Sequence, residues 1–249
     1  MELTIEIILI LFAAGLLAGT IDTIAGGGGM ITLPALLSVG MTPIEALSTN
    51  KLQSVFGTFT ASIYFIKKKL VNLKEMKLMI FMAFFGSILG GFTLMQIDSS
   101  ILEKVIPILL IFIGIYFLLT KNVGEVEKHK LLSSSLYAFT FVLVIGFYDG
   151  FFGPGTGSFF TICFIYFLGY NISRATAETK VLNFITNFAA LLFFLVFGQI
   201  NFIAGFVMAI GQVLGALLGA KLVMLKGQKL IRPVIVFVCF AISIKLLLS

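Results

Sequence analysis

At 249 residues, 59% of them hydrophobic and 11% charged, with a mean hydropathy of +1.14, the chain has no soluble-domain composition; soluble domains are about 45–50% apolar and about 25% charged. The net charge of +6 does not point to nucleic acid, because the bases sit in short loops, as membrane orientation signals do. The apolar runs are continuous and do not alternate, which excludes a β-barrel and leaves an all-α polytopic membrane protein.

In chain order, apolar runs bounded by turns or charges predict helical segments at 4–24, 29–40, 45–66, 76–96 and 102–120. Five more follow at 131–150, 155–169, 178–198, 201–221 and 231–248. The first run carries Glu2 and Glu6 where a signal peptide has basic residues, so it reads as a retained helix. Segments 29–40 and 155–169 are short; a helix of about 12 residues covers only about 18 Å of a roughly 30 Å hydrocarbon core. Each follows a glycine-rich break, which predicts a helical hairpin meeting inside the membrane. About eight full spans then remain.

The chain says nearly the same thing twice. Gly19, Asp22, Gly26 and Gly28 recur 127 residues later as Gly146, Asp149, Gly153 and Gly155. Gly40, Ala46, Lys51, Phe59, Ala61, Phe65, Gly86 and Gly90 recur 129 residues later as Gly169, Ala175, Lys180, Phe188, Ala190, Phe194, Gly215 and Gly219. One transmembrane domain, 1–249, built from repeats 1–122 and 131–249, is the expected organisation. Lys67, Lys68 and Lys69 with Lys74 and Lys77 mark loop 66–76 as cytoplasmic. Lys121, Lys128 and Lys130 mark 121–130 likewise, and Lys221, Lys226, Lys229 and Arg232 mark 221–232. The loops near 96–100 and 198–201 lack Lys and Arg and read as external, as do both termini. Tracing the chain between these loops, with Arg174 read in the exit loop of the second hairpin, brings the two hairpins in from opposite faces. That is the inverted-repeat architecture of secondary transporters.

The candidate site lies in the breaks. Asp22 is followed by Gly26, Gly27, Gly28 and Gly29, and Asp149 by Gly153, Pro154, Gly155, Thr156, Gly157 and Ser158. Irregular backbone at membrane depth needs protein or a lined cavity around it, and the exposed N–H groups of a helix start suit an anion. Tight helix packing is the alternative use of such glycines. Two roles are open to Asp22 and Asp149: coupling to a proton or cation, or holding the break by accepting backbone N–H bonds. Beyond each hairpin, Asn50, Ser54 and Thr58, and likewise Asn183, Thr186 and Asn187, share a helix face at the opening of a long helix. Lys51 and Lys180 beside them either offer charge to an anion or snorkel to headgroups; Thr179 belongs to the same set. Gly86 and Gly90, and Gly211, Gly215 and Gly219, form small-residue seams that serve packing within or between subunits, leaving oligomerisation open. Cys163 and Cys239 read as packing residues. No Ser/His, metal-ligand or paired-carboxylate constellation points to an enzyme, a metal or a cofactor.

These residues resemble the TauE/SafE family of sulfite exporters and related anion permeases. The resemblance is carried by Ala18-Gly19 through Asp22-Thr23-Ile24-Ala25-Gly26-Gly27-Gly28-Gly29, by Leu33-Pro34, by Ala46 to Lys51 and by Lys67-Lys68-Lys69. In the second half it rests on Gly150 to Ser158 and Ala175 to Lys180. It implies a bacterial inner-membrane protein moving sulfite, sulfonates or related organosulfur anions. A secondary transporter working by alternating access is therefore expected, its partners a small anion and the bilayer, with proton or sodium coupling open. An anion channel, or a membrane protein without transport, is the alternative.

Overall fold

A computed structural model describes residues 4–119 and 129–226, and every regular element within them is helical. Thr4 caps α1 (Ile5–Ala25), which stops where Gly26 turns left-handed at φ 75° and donates its N–H to Asp22 O at 2.7 Å. After α2 (Gly29–Ser38) come α3 (Pro43–Lys67), α4 (Lys77–Leu94) and α5 (Ser99–Leu119). In the second half, α6 (Ser134–Tyr137) runs through a π-helical turn at Ala138–Val142 into α7 (Leu143–Phe151). Then follow α8 (Thr156–Leu168), α9 (Ile172–Phe197) and α10 (Phe202–Lys226). The predicted segment 231–248, with Pro233 and Cys239, lies outside the described residues, as do Lys121, Lys128, Lys229 and Arg232.

One helix, α9, starts well before the position hydropathy predicts, while α3 and α5 start only two and three residues early. For α9 the predicted start was 178, but Asn171 accepts the Arg174 N–H at 2.9 Å and opens the helix at Ile172. Arg174 then pairs with Glu178 one turn on, Nε–Oε1 2.9 Å, so it lies in the first turns of the helix and not in a loop. For α3, Thr42 caps and Pro43 sits at the first helical position, where its missing N–H costs nothing. Asn50 and Lys51, with Thr179, Lys180 and Asn183, therefore do not open their helices but sit about two to three turns inside them.

Among the described residues, five helices are long and apolar enough to cross a membrane: α1, α4, the Ser134–Phe151 run, α9 and α10 through Val223. α3 has the length, 25 residues, but devotes one face to Ser, Thr, Asn, Gln and Lys. Ser48, Thr49, Asn50, Lys51, Gln53, Thr58 and Ser62 of α3 are buried, as are Thr176, Glu178, Thr179, Lys180, Asn183, Thr186 and Asn187 of α9, while Leu9, Phe92, Phe112, Val196 and Ile203 are exposed. Apolar outside and polar inside is the arrangement a bilayer selects.

The glycine seams bind the two halves to each other. On α10, Gly211 faces Phe12 and Leu16, Gly215 faces Leu16 and Thr20, and Gly219 faces Thr20, so α10 runs parallel to α1. On α4, Gly86 faces Leu143 and Phe147, and Gly90 faces Phe147 and Phe151, so α4 runs parallel to α7. At the centre, Ser62 Oγ donates to Lys180 O at 2.8 Å and Phe59 packs on Phe184, so α3 and α9 run antiparallel. At one end of this pair Arg174 bridges Glu178 and Glu75, the latter at 2.9 Å, and covers the Tyr170 ring. At the other end Asn201 donates to Thr49 Oγ1 at 2.9 Å and to Glu45 at 3.3 Å.

A side chain in either seam has nowhere to go: a Cβ on Gly90 would lie 2.0 Å from Phe147 O, and one on Gly215 2.1 Å from Leu16 O. Gly90→Leu or Gly215→Leu is expected to remove most of the monodisperse protein recovered in detergent, since overpacking a tight contact costs about 1–3 kcal/mol or more. Phe92→Leu on the exposed face should leave recovery unchanged in the same fluorescence-detected size-exclusion assay.

Candidate functional site: crossed ion pairs at two broken helices

The structure brings the two breaks into direct contact. A Cβ on Gly26 would lie 2.3 Å from Gly157 C, and one on Gly29 3.1 Å from Pro154 Cα. Ser158 Oγ donates to Ala25 O across the junction. Such an approach of two backbones is open only to glycine, and Gly26 and Gly155 also carry left-handed φ of 75° and 87°.

Around the junction the charges cross between halves. Lys51 Nζ lies 2.9 Å from Asp149 Oδ1 and also donates to Asp149 O. Lys180 Nζ lies 3.2 Å from Asp22 Oδ2 and also donates to Asp22 O. Each lysine is only about 1–2% exposed and grips both the carboxylate and the carbonyl of an aspartate in the last turn of a broken helix. A cation there satisfies a freed carbonyl and the negative helix end together. Of the two uses open to the lysines, snorkelling to headgroups is therefore not seen.

The two aspartates are held differently. Asp22 Oδ1 accepts the Gly28 N–H at 3.3 Å while Oδ2 faces Lys180, so both oxygens are engaged. Asp149 Oδ1 takes Lys51 and the Thr156 hydroxyl at 3.0 Å, and its Oδ2 is buried with no hydrogen-bond partner. Deeper on the same faces, Thr32 Oγ1 bonds Asn50 Oδ1 at 2.5 Å and Thr161 Oγ1 bonds Thr179 Oγ1 at 3.1 Å.

Asp22, Gly26, Gly28, Gly29, Asn50, Lys51, Asp149, Gly153, Gly155, Gly157 and Asn183 line one tight cavity of about 20 Å3, room for about one water molecule. Ser54, Thr58 and Asn187 from the shared faces complete it, whereas Thr186 does not line it: its hydroxyl donates to Asn183 O at 3.1 Å and its backbone carbonyl accepts Ser87 Oγ at 2.6 Å. Thr156, Ser158, Thr179 and Lys180, bonded as described, and Gly27 do not line it. Gln212 also lines the cavity. In the sequence it sits between Gly211 and Gly215 in a packing seam, and the signal there is a lone amide in an apolar run. The first turns of α2 and α8 point at this space. Their closing bonds run from Met30, Ile31 and Thr32 and from Thr156, Ser158 and Phe159. The Gly27, Gly29, Gly155 and Gly157 amides are not among those donors. Among the described residues, no group of three or more His, Cys, Asp or Glu side chains gathers as a metal site requires.

Buried breaks, a central cavity with polar lining residues and an apolar exterior define a multi-pass helical membrane protein. The chain belongs to the sulfite exporter TauE/SafE family, whose model matches residues 11–246. It is 46% identical over 246 residues, 99% of this chain and 96% of the other, to a Haemophilus influenzae protein named "Probable membrane transporter protein". It is 47% identical over 242 residues, 96% of this chain and 88% of the other, to the Escherichia coli "Probable membrane transporter protein YfcA". A Bacillus subtilis relative, "Probable membrane transporter protein YunE", is 23% identical over 238 residues, 86% of this chain and 87% of the other. No solved structure matches the chain.

Removing one member of a buried pair strands the other, at a cost of about 3–5 kcal/mol. Lys51→Met and Asp149→Asn should each lower the unfolding temperature in detergent strongly. The double variant should recover more than half of the summed loss. Strict additivity would mean that the two residues are not partners.

Proposed function

We propose that the protein is a secondary transporter of small oxyanions, most directly sulfite, sulfonates or related organosulfur anions, working by alternating access in the bacterial inner membrane. The observation that carries this is the meeting of two broken helices at a buried cavity into which two helix starts and Lys51 point. Helix N-termini with unconsumed amides, a neighbouring ammonium, the Ser54 hydroxyl and the side-chain amides of Asn50 and Asn183 form a donor-rich wall suited to an oxyanion. The family description supports the sulfur oxyanion class.

In this proposal the repeats 1–122 and 131–249 are inverted copies within one domain, with about eight full spans and two re-entrant hairpins. The antiparallel run of α3 against α9, and the exchanged partners of the seams and ion pairs, support it. Arg174 is tied through Glu75 to the loop beside Lys67–Lys69, which supports placing that end in the cytoplasm and the N-terminus outside. Rocking of the halves would expose the cavity to each side in turn.

Purified protein should gain thermal stability from millimolar sulfite or methanesulfonate and not from acetate; stabilisation by acetate alone would remove the sulfur-oxyanion assignment. A Cβ on Gly28 would lie 2.7 Å from Asp22 Cβ. Gly28→Leu and Gly155→Leu are therefore expected to abolish uptake into proteoliposomes while the protein still inserts, and wild-type flux in both would discard the site. Saturation and counterflow in that assay distinguish a carrier from a channel. With Cys163 and Cys239 replaced, Thr42→Cys and Ser173→Cys should react with an impermeant thiol reagent from opposite sides. Labelling from the same side would end the inverted arrangement.

A further inference from the structure

We propose that Asp149 takes up a proton whenever an anion occupies the cavity, so that one proton travels with each monoanion and the loaded carrier moves no net charge. This rests on the anion assignment made above and adds the coupling ion, its stoichiometry and its residue. The charged side chains at the junction are two ammonium groups and two carboxylates, each ammonium consumed by one carboxylate. The resting centre is thus neutral. A monoanion entering with nothing else would leave one uncompensated charge in a low-dielectric interior, the arrangement that buried sites avoid.

The inequivalence of the aspartates identifies where compensation falls. Asp22 has both oxygens committed, one of them to the Gly28 amide that closes the break. Asp149 is about 2% exposed against 13% for Asp22, and its Oδ2 is an orphaned buried acceptor. Lys51 and Asp149 both line the cavity, whereas Lys180 does not. The anion would draw the Lys51 ammonium away from Asp149, and a proton from the open compartment would form an O–H bond at the released carboxylate. Nothing is oxidised or reduced, and on release the O–H bond breaks and the Lys51–Asp149 pair closes again. The charged and titratable groups packed around Asp149 are Lys51 from α3, Tyr148 on its own helix, and the Asp22–Lys180 pair across the junction. Tyr148 donates to Pro154 O at 2.6 Å. Along α7, α4 presents Gly86, Ser87 and Gly90.

Wild-type proteoliposomes loaded with methanesulfonate, whose charge is constant near neutral pH, provide the test; sulfite, part dianion there, serves only to ask whether an anion moves. Steady-state accumulation should change tenfold per unit of pH difference and stay unchanged when valinomycin and potassium impose 100 mV. A naked monoanion would instead respond about 50-fold to 100 mV, since one charge crossing is about 2.3 kcal/mol. That response, or dependence on a sodium gradient in place of pH, overturns the proposal. If neither anion stabilises the protein or moves, the anion assignment itself falls and the coupling falls with it. Asp149→Asn should still exchange anion for anion at equal pH but lose accumulation driven by the pH difference. Asp22→Asn should run more slowly with the tenfold ratio intact. Retained coupling in Asp149→Asn, or its loss in Asp22→Asn alone, overturns the assignment. Asp149→Glu covers failure of the Asn variant to insert: it should keep coupling with a shifted pH midpoint, and an unshifted one counts against Asp149.

Discussion

Everything at the centre of this molecule depends on two lysines reaching across to the aspartates of the opposite half. Each aspartate sits where a helix stops inside the protein, with carbonyls freed and a carboxylate buried. Neither group is tolerable there alone. One ammonium satisfies both, and because the lysine belongs to the other half, the same bond that makes a break acceptable also fixes where the second break must lie. The glycine contact between Gly26 and Gly157 follows from that placement.

The seams make the crossing possible. α1 and α7 carry the breaks at their C-terminal ends, and each is held along its length by a glycine-lined helix, α10 and α4 respectively. Backbone against backbone leaves little freedom to slide, so the aspartates are presented at a set depth. α3 and α9 pass between these two pairs and bring Lys51 and Lys180 to meet them. Their polar faces, unaffordable on a lipid surface, point at each other and at the cavity.

Much of the helical framework is legible in residue order. Long apolar runs, lysine-rich loops and the two short glycine-led segments locate α1, α2, α4, α5 and α8 to within a few residues. The start of α9 is not, because hydropathy sees only a polar stretch where Asn171 caps and Arg174 pairs with Glu178. The repeat of Asp22 and Lys51 as Asp149 and Lys180 is plain in the sequence, but their crossed partnership is not. Residues separated by 98 and 158 positions meet only once the seams are assembled. Gln212 escaped for a related reason, since a single amide among small residues reads as packing until the opposite wall is in place.

The exchanged seams also set a timetable for biosynthesis. α1 leaves the ribosome roughly 180 residues before the α10 surface that accepts it, an interval of roughly 10–35 s at about 5–20 residues per second. Throughout that delay the nascent chain must harbour a helix whose partner does not yet exist, with Asp22 awaiting a lysine still to be translated. Insertion of α10 is thus the step that gives α1 its seam, and a chain truncated before it would strand its own first segment among lipids.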